Sequence, residues 1–142
     1  MSKILVIGAG GVSSVAIHKM AQLQNDFKEI TLASKTIDNC KKIQKQIKNK
    51  YNYSINIEEL DADNIPETSK IISKYCPELI VNLALPYQDL NIMEACLNKH
   101  VHYLDTANYE PRNEAKFEYK WQWELNDRFK EKSLMGLLGS GF

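Results

Sequence analysis

The chain has 142 residues, the size of one domain built around a single hydrophobic core. Lysine plus arginine total 18 and aspartate plus glutamate total 18, so no excess of positive charge indicates a nucleic acid or an anionic membrane as a partner. The first apolar run, Ile4–Ile7, is too short for a signal peptide or a membrane span, and no later run approaches ~18 apolar residues. We therefore expect a cytoplasmic protein that binds a small molecule.

The three cysteines form no CxxC pair and have no histidine at the spacing of zinc ligands. A cytoplasmic chain of this kind keeps its thiols reduced. We therefore predict neither a disulfide nor a metal site.

Short apolar runs alternate with helical patterns along the whole chain. The predicted strands, in chain order, are Lys3–Ile7, Glu29–Ala33, Tyr53–Glu58, Leu79–Leu83, His102–Asp105 and Leu134–Leu138. Such alternation predicts parallel strands joined by right-handed crossovers, with helices on both faces of one sheet. The predicted fold class is α/β, a doubly wound and mostly parallel sheet of the Rossmann type with about six strands.

Apolar residues at helical spacing predict which helix faces cover the sheet. In the first helix these are mainly Val12, Val15, Ala16, Met20 and Leu23, and in the second they are Cys40, Ile43 and Ile47. A short third helix carries Pro66 in or near its first turn, and Leu90, Met93, Cys96 and Leu97 mark the fourth. A long last helix is predicted from Phe117, Trp121, Leu125 and Phe129 at steps of four.

A glycine-rich segment, Gly8–Ser13, follows the first strand and begins the first helix, which is the context of a dinucleotide-binding loop. Gly8 allows the tight turn, Gly10 lets backbone amides approach a pyrophosphate, and Gly11 adds freedom beside it. The phosphate charge is favoured by the free N–H groups at the helix N-terminus, near Val12. The alternative is a strand-to-helix turn that binds nothing.

Ser13 occupies the position where such loops usually carry glycine or alanine for close helix packing. Serine is small enough for this packing. Its hydroxyl is also a candidate ligand for a phosphate oxygen.

The end of the second strand predicts which nicotinamide nucleotide is bound. NAD-binding domains carry a carboxylate there for the adenosine ribose, whereas this chain has Ser34, Lys35 and Thr36. Two hydroxyls and an ammonium group favour a 2′-phosphate through charge-assisted hydrogen bonds. We therefore predict NADP(H) rather than NAD(H). The alternative is that Lys35 is an ordinary solvated lysine.

Ligands of open α/β sheets lie beyond the carboxyl ends of the strands, so residues after strands three to five are further candidates. These are Asp61 and Asp63 for the adenine amino group, Asn82, Ala84, Leu85 and Pro86 near a ribose, and Asp105 and Thr106 towards the nicotinamide. Helix capping is an equally good role for Asp61, Asp63 and Thr106. The sequence reveals no catalytic acid or base.

The segment ILVIGAGGVSSV at residues 4–15 is followed along the chain by ITLASKT, LDADN, NLALPYQDL, HYLDTANYEP, KFEY and GLLGSGF. Together these segments resemble a known family, the saccharopine dehydrogenase-like reductases, and within it the carboxynorspermidine dehydrogenases. Ser13 fits the loop of this family. The resemblance spans the chain and implies an NADPH-dependent reductase of polyamine biosynthesis. Its substrate is an imine of aspartate semialdehyde and a diamine, 1,3-diaminopropane or putrescine.

The resemblance also implies a domain organisation. Residues 1–142 match an N-terminal Rossmann NADP(H)-binding domain, and family members carry a substrate and dimerisation domain beyond it. We therefore expect a fragment of a longer, homodimeric enzyme that binds nucleotide without imine reduction. Two alternatives stay open, namely a saccharopine reductase or related amino-acid dehydrogenase, and a non-catalytic Rossmann module that senses nucleotides.

Overall fold

The computed structural model describes residues 2–116 and 118–140. The strands are β1 Ser2–Ile7, β2 Phe27–Ser34, β3 Asn56–Glu59, β4 Leu79–Asn82, β5 His102–Asp105 and β6 Gly136–Leu137. The helices are α1 Gly11–Met20, α2 Ile37–Tyr51, α3 Ile65–Tyr75, α4 Asp89–Lys99, α5 Lys120–Trp123 and α6 Asn126–Glu131. A 3-10 turn at Pro86–Gln88 precedes α4.

All six strands lie in one parallel sheet with the order β3-β2-β1-β4-β5-β6. β1 is central, since Ile4 pairs with Ile30 of β2 on one side and with Leu79 of β4 on the other. The strand order reverses at β1, and a ligand crevice opens at such a reversal. The predicted doubly wound Rossmann fold is confirmed.

The core forms two apolar layers, one on each face of the sheet. Ile4 and Val6 of β1 belong to the layer beneath α1 and α2, whereas Leu5 and Ile7 belong to the layer beneath α3 and α4. All four side chains are buried. The aliphatic run of β1 therefore serves both layers, as expected for a central parallel strand.

Helix α1 faces the sheet with a different side from the one predicted. Ser13, Ile17 and Ala21 are buried, whereas Val12 and Val15 are 63% and 62% exposed. The prediction was wrong because it followed the largest apolar residues, while close packing of α1 selects small side chains at its first turn.

The predicted long last helix is also wrong. Residues 120–131 form two short helices, α5 and α6, because the Leu125 N–H bonds to the Gln122 carbonyl and the turn tightens between them. Gln122 and Phe129 are buried, while Trp121 and Leu125 are only partly buried. The prediction for Phe117 lies outside the described residues.

Within residues 2–116 and 118–140, no helix combines the length and apolar character needed to span a bilayer. The same residues bring together no group of three histidine, cysteine, aspartate or glutamate side chains suited to a metal ion.

Candidate functional site

A crevice of about 470 Å³ opens at the carboxyl ends of β1, β2 and β4. Eight of the predicted cofactor-binding residues line it, namely Gly8, Gly10, Ser34, Lys35, Thr36, Asp63, Ala84 and Leu85. The other eight lie outside the lining, namely Gly11, Val12, Ser13, Asp61, Asn82, Pro86, Asp105 and Thr106. Half of the predicted cofactor-binding residues therefore share one crevice, and their role in binding a cofactor stays a prediction.

Gly8 makes the turn that leaves β1. Its N–H donates to the Ala33 carbonyl at 2.8 Å, and its φ of +102° is unfavourable for any residue with a side chain. A Cβ atom there would lie 2.5 Å from the Leu83 carbonyl oxygen. Glycine is therefore required by the backbone at this position, whether or not a ligand is bound.

Gly10 and Gly11 meet a different requirement. A Cβ atom on either residue would find no described atom within 4 Å, so the space beside them is open. Gly10 is the N-cap of α1, and no side chain caps the N-terminus. Free amides beside open space fit the pyrophosphate of a dinucleotide, as the loop pattern predicts.

Ser13 lies in the first turn of α1 and is fully buried against the sheet. Its Oγ has no hydrogen-bond partner among the described residues. The structure thus gives Ser13 the packing role of the third loop position, and its hydroxyl does not reach the crevice lining. Val12 points away from this packed side.

Lys35 stands at the end of β2, at the crevice edge, with 76% of its side chain exposed. Its Nζ donates to Asp61 Oδ2 at 2.9 Å, and this hydrogen bond is the main reason why its pKa is raised. The same contact holds the pKa of Asp61 below its usual value. Lys35 is therefore a solvent-exposed lysine at the crevice edge that is paired with a carboxylate.

The acidic residues after β3 do not cap the next helix. Asn64 does so, because its Oδ1 accepts from the Glu67 N–H at 3.1 Å. Asp61 instead accepts the Asp63 N–H, and Asp63 faces the crevice. Their capping alternative is therefore wrong.

Arg112 is a crevice residue that the sequence did not indicate. Its Nη2 donates to Asp63 Oδ2 at 2.5 Å, and its guanidinium carbon lies 3.7 Å from the centre of the Tyr87 ring. Tyr87 also lines the crevice. No local pattern marks Arg112, because its ionic partner is 49 residues away in the chain.

Beneath the ends of β4 and β5, five polar side chains form a buried network. They are Asn82, Asp89, Tyr103, Asp105 and Gln122. The Asn82 amide donates to Asp89 at 2.7 Å and to the Tyr103 hydroxyl at 3.0 Å. Asp105 Oδ2 accepts from Tyr103 and Gln122, and Asp105 Oδ1 accepts from the Gly139 N–H at 2.7 Å.

This buried network corrects two predicted roles. Asn82 and Asp105 are 2% and 1% exposed and have their polar atoms occupied inside the protein, so neither faces the crevice. Asn82 still shapes the crevice, because its Oδ1 accepts the Ala84 N–H at 3.0 Å. Polar residues after a parallel strand are a signal for a site, but burial decides whether they meet the ligand.

Two carboxyl groups of the network have altered acidity. Burial, together with the nearby Asp105 charge, raises the pKa of Asp89 to about 8. Burial also raises the pKa of Asp105, although its hydrogen-bond donors oppose this effect. Asp89 Oδ2 has no partner among the described residues, which suits a carboxyl that keeps its proton.

The sequence matches the family model for the saccharopine dehydrogenase NADP-binding domain over residues 4–137. It is 49% identical, over 142 residues, to the carboxyaminopropylagmatine dehydrogenase of Synechocystis sp., covering 100% of this chain and 35% of that protein. It is 36% identical to the carboxynorspermidine synthase of Vibrio cholerae, covering 98% of this chain and 36% of that protein. The chain thus spans about a third of the length of these relatives.

Solved structures share the fold at low sequence identity. Apo saccharopine dehydrogenase of Saccharomyces cerevisiae superposes with a TM-score of 0.79 at 16% identity, over 99% of this chain and 27% of that one. An alcohol dehydrogenase of Thermococcus sibiricus complexed with 5-hydroxy-NADP gives 0.66 at 13% identity, over 94% and 72%. The crevice, the strand order and the family match agree, and the chain belongs to the saccharopine dehydrogenase NADP-binding domain family.

Proposed function

We propose that this chain is the NADP(H)-binding domain of a reductase that converts an imine of aspartate semialdehyde and agmatine into a secondary amine. The observation that carries the nucleotide part is the crevice, whose lining joins Gly10, with open space beside it, to the cation of Lys35. Bound NADPH would supply the hydride that the imine carbon accepts.

The choice of amine rests on the relatives. The relative at 49% identity is named for carboxyaminopropylagmatine, and those at 36% are named for carboxynorspermidine. A carboxyaminopropyl group on agmatine is what remains when an imine of aspartate semialdehyde and agmatine is reduced. We therefore favour agmatine over the diamines 1,3-diaminopropane and putrescine.

Each part of the crevice has a proposed task. The amides at the start of α1 bind the pyrophosphate, while Ser34, Lys35 and Thr36 bind the adenosine 2′-phosphate. Asp61 accepts from the adenine amino group once the phosphate has taken its place at Lys35. The buried Asn82 fixes Ala84, at the wall where a ribose would lie.

A cytoplasmic location and a homodimeric full-length enzyme stay predictions. The location is supported by the free thiols of Cys40, Cys76 and Cys96. The homodimer is supported by the family resemblance.

The nucleotide assignment is tested by calorimetric titration of the chain with NADPH and NADH. Lys35→Ala should weaken NADPH binding about tenfold or more while leaving NADH binding nearly unchanged, because only NADPH carries the 2′-phosphate. Lys41→Ala is the matched control, since Lys41 is also an exposed lysine paired with an aspartate, Asp38, but does not line the crevice. Equal weakening of both nucleotides would contradict the role of Lys35.

The reaction is tested on the native protein that contains this chain. NADPH oxidation should require aspartate semialdehyde and be faster with agmatine than with putrescine or 1,3-diaminopropane. A preference for either diamine would overturn the agmatine assignment, and no oxidation with any amine would overturn the reductase. The 142-residue chain alone should bind nucleotide without turnover, because the ionisable groups of its crevice lining, such as Lys35, Asp63 and Arg112, lie at the proposed adenosine end of the nucleotide.

A further inference from the structure

We propose that Arg112 stacks on the adenine ring of the bound nucleotide, an inference that rests on the nucleotide-binding function proposed above. The tasks proposed for the glycine loop and for the end of β2 do not explain why an arginine lies in the crevice at position 112. Its position in the crevice and the contacts of its guanidinium group carry the inference.

Arg112 reaches the crevice from the segment that joins β5 to α5, far along the chain from the elements that it touches. Asp63 follows β3 and Tyr87 follows β4, and the guanidinium contacts both. The ion pair and the ring contact together hold the guanidinium group at the crevice. Arg112 therefore contacts both the segment that follows β3 and the segment that follows β4, which lie on opposite sides of β1.

The adenine of a dinucleotide must lie at this place if the phosphates bind as proposed. The pyrophosphate occupies the start of α1 and the 2′-phosphate occupies the end of β2, so the base extends towards the ends of β3 and β4. The crevice lining there is apolar, with Leu60, Ala62 and Leu83. Arg112 and Tyr87 supply the flat groups at this end.

A guanidinium group is well suited to this task. It is planar, weakly hydrated and stacks on aromatic faces, which an ammonium group does not do. The guanidinium carbon of Arg112 lies 3.7 Å from the centre of the Tyr87 ring, and 55% of the arginine side chain remains exposed. That exposed surface is available to a second flat partner, and a purine is one.

Adenine stacking and phosphate binding predict different nucleotide dependence. Adenine is present in both NADPH and NADH, so losing a stacking partner should weaken both equally. Losing a phosphate ligand should weaken NADPH alone, as expected for Lys35.

The test is calorimetric titration of the wild-type chain, Arg112→Ala and Arg112→Lys with NADPH and NADH. Both variants should bind each nucleotide about tenfold more weakly, because alanine and lysine alike lack the plane. Arg128→Ala is the matched control, since Arg128 is an exposed arginine paired with Glu94 outside the crevice. Thermal unfolding should show all variants to be folded, because the ion pair of Arg112 is exposed.

The alternative outcomes separate this inference from the function on which it rests. If Arg112→Ala weakens NADPH alone and Arg112→Lys restores it, Arg112 is a phosphate ligand and stacking is refuted. If neither variant changes an affinity that the wild type shows, the inference fails while the proposed function stands. If the wild type binds neither nucleotide, both fail.

Discussion

The two halves of the sheet edge carry similar side chains at very different depths. At the ends of β2 and β3, Asp61 and Asp63 pair with exposed cations, Lys35 and Arg112, at the crevice edge. At the ends of β4 and β5, the carboxyl groups are buried and bonded to neutral donors. The carboxyl groups near the ends of β2 and β3 can therefore exchange their partners, whereas those near the ends of β4 and β5 are held by buried hydrogen bonds.

The difference in burial distinguishes residues that can bind a ligand from residues that stabilise the fold. An exposed ion pair adds little to stability, so a nucleotide phosphate can replace its carboxylate at small cost. A buried hydrogen-bonded carboxyl cannot leave without exposing unpaired polar groups. In the proposed function, the half at the ends of β2 and β3, the open half, provides ligands for the nucleotide. The half at the ends of β4 and β5, the closed half, holds the strand ends in place.

The strongest test of this comparison is a pair of glycine substitutions. Gly8→Ala places a Cβ atom against the Leu83 carbonyl at a φ that favours glycine, so we expect a loss of about 3 kcal/mol or more in unfolding free energy. Gly10→Ala meets open space and should leave stability nearly unchanged, yet weaken nucleotide binding about tenfold or more. Urea unfolding and calorimetric titration measure the two effects.

The two glycines separate the backbone requirement from the ligand requirement. If Gly10→Ala bound NADPH as tightly as the wild type, the pyrophosphate would not approach this turn. A folded Gly8→Ala chain of normal stability would mean that the backbone at Gly8 adopts another conformation.

The closed half should make stability depend on pH through Asp89. Its pKa is raised from 3.8 in the unfolded chain to about 8, so between these values the folded state binds more protons. The unfolding free energy should therefore fall as pH rises from about 4 to about 8, by at most about 1.4 kcal/mol per pH unit. Asp89→Asn should flatten this slope in urea unfolding at pH 5, 6 and 7.

Asp38→Asn is the control for this measurement, because Asp38 is an exposed carboxylate on α2. It should leave the slope of the wild type unchanged. An Asp89→Asn chain with the same slope as the wild type between pH 5 and pH 7 would show that the Asp89 carboxyl is ionised in the fold.

The smallest effect is expected in the open half, for Asp61→Asn. The substitution removes the carboxylate that neutralises Lys35, so NADPH should bind a few times more tightly if the phosphate has to displace it. Stability should hardly change, because the pair is exposed. Weaker NADPH binding in this variant would mean that two effects of Asp61 differ in size. Its hydrogen bond from the adenine amino group would then strengthen binding more than its competition with the 2′-phosphate for Lys35 weakens it.

The sheet could be predicted because its signals are local. Short apolar runs, such as that of β1, and the polar residues that follow them predicted the strands. The predicted bounds of His102–Asp105 are exact, and those of the other strands differ from the structure by a few residues at most. Gly8 and Gly10 then pointed to the crevice that they line, since a glycine-rich turn between a strand and a helix is the context of a dinucleotide-binding loop.

The remaining features depend on contacts between distant residues. Arg112 meets Asp63 only after the fold has formed, and Gln122 is buried because Asp105 lies opposite it. The exposure of Val12 likewise follows from which side of α1 fits the sheet. Hydrophobicity alone does not encode these choices, although the small Ser13 at the third position of the glycine loop did indicate the packed side of α1.

The central place of β1 has a consequence for synthesis on the ribosome. β2 is complete by Ser34, but β4 ends only at Asn82, so one edge of β1 waits for roughly fifty further residues, or about 2 to 10 seconds of translation. During that interval, four aliphatic residues stand beside an unpaired strand edge. The nascent chain is therefore most vulnerable to misassembly before its fourth strand emerges, and chaperone contact is most useful there.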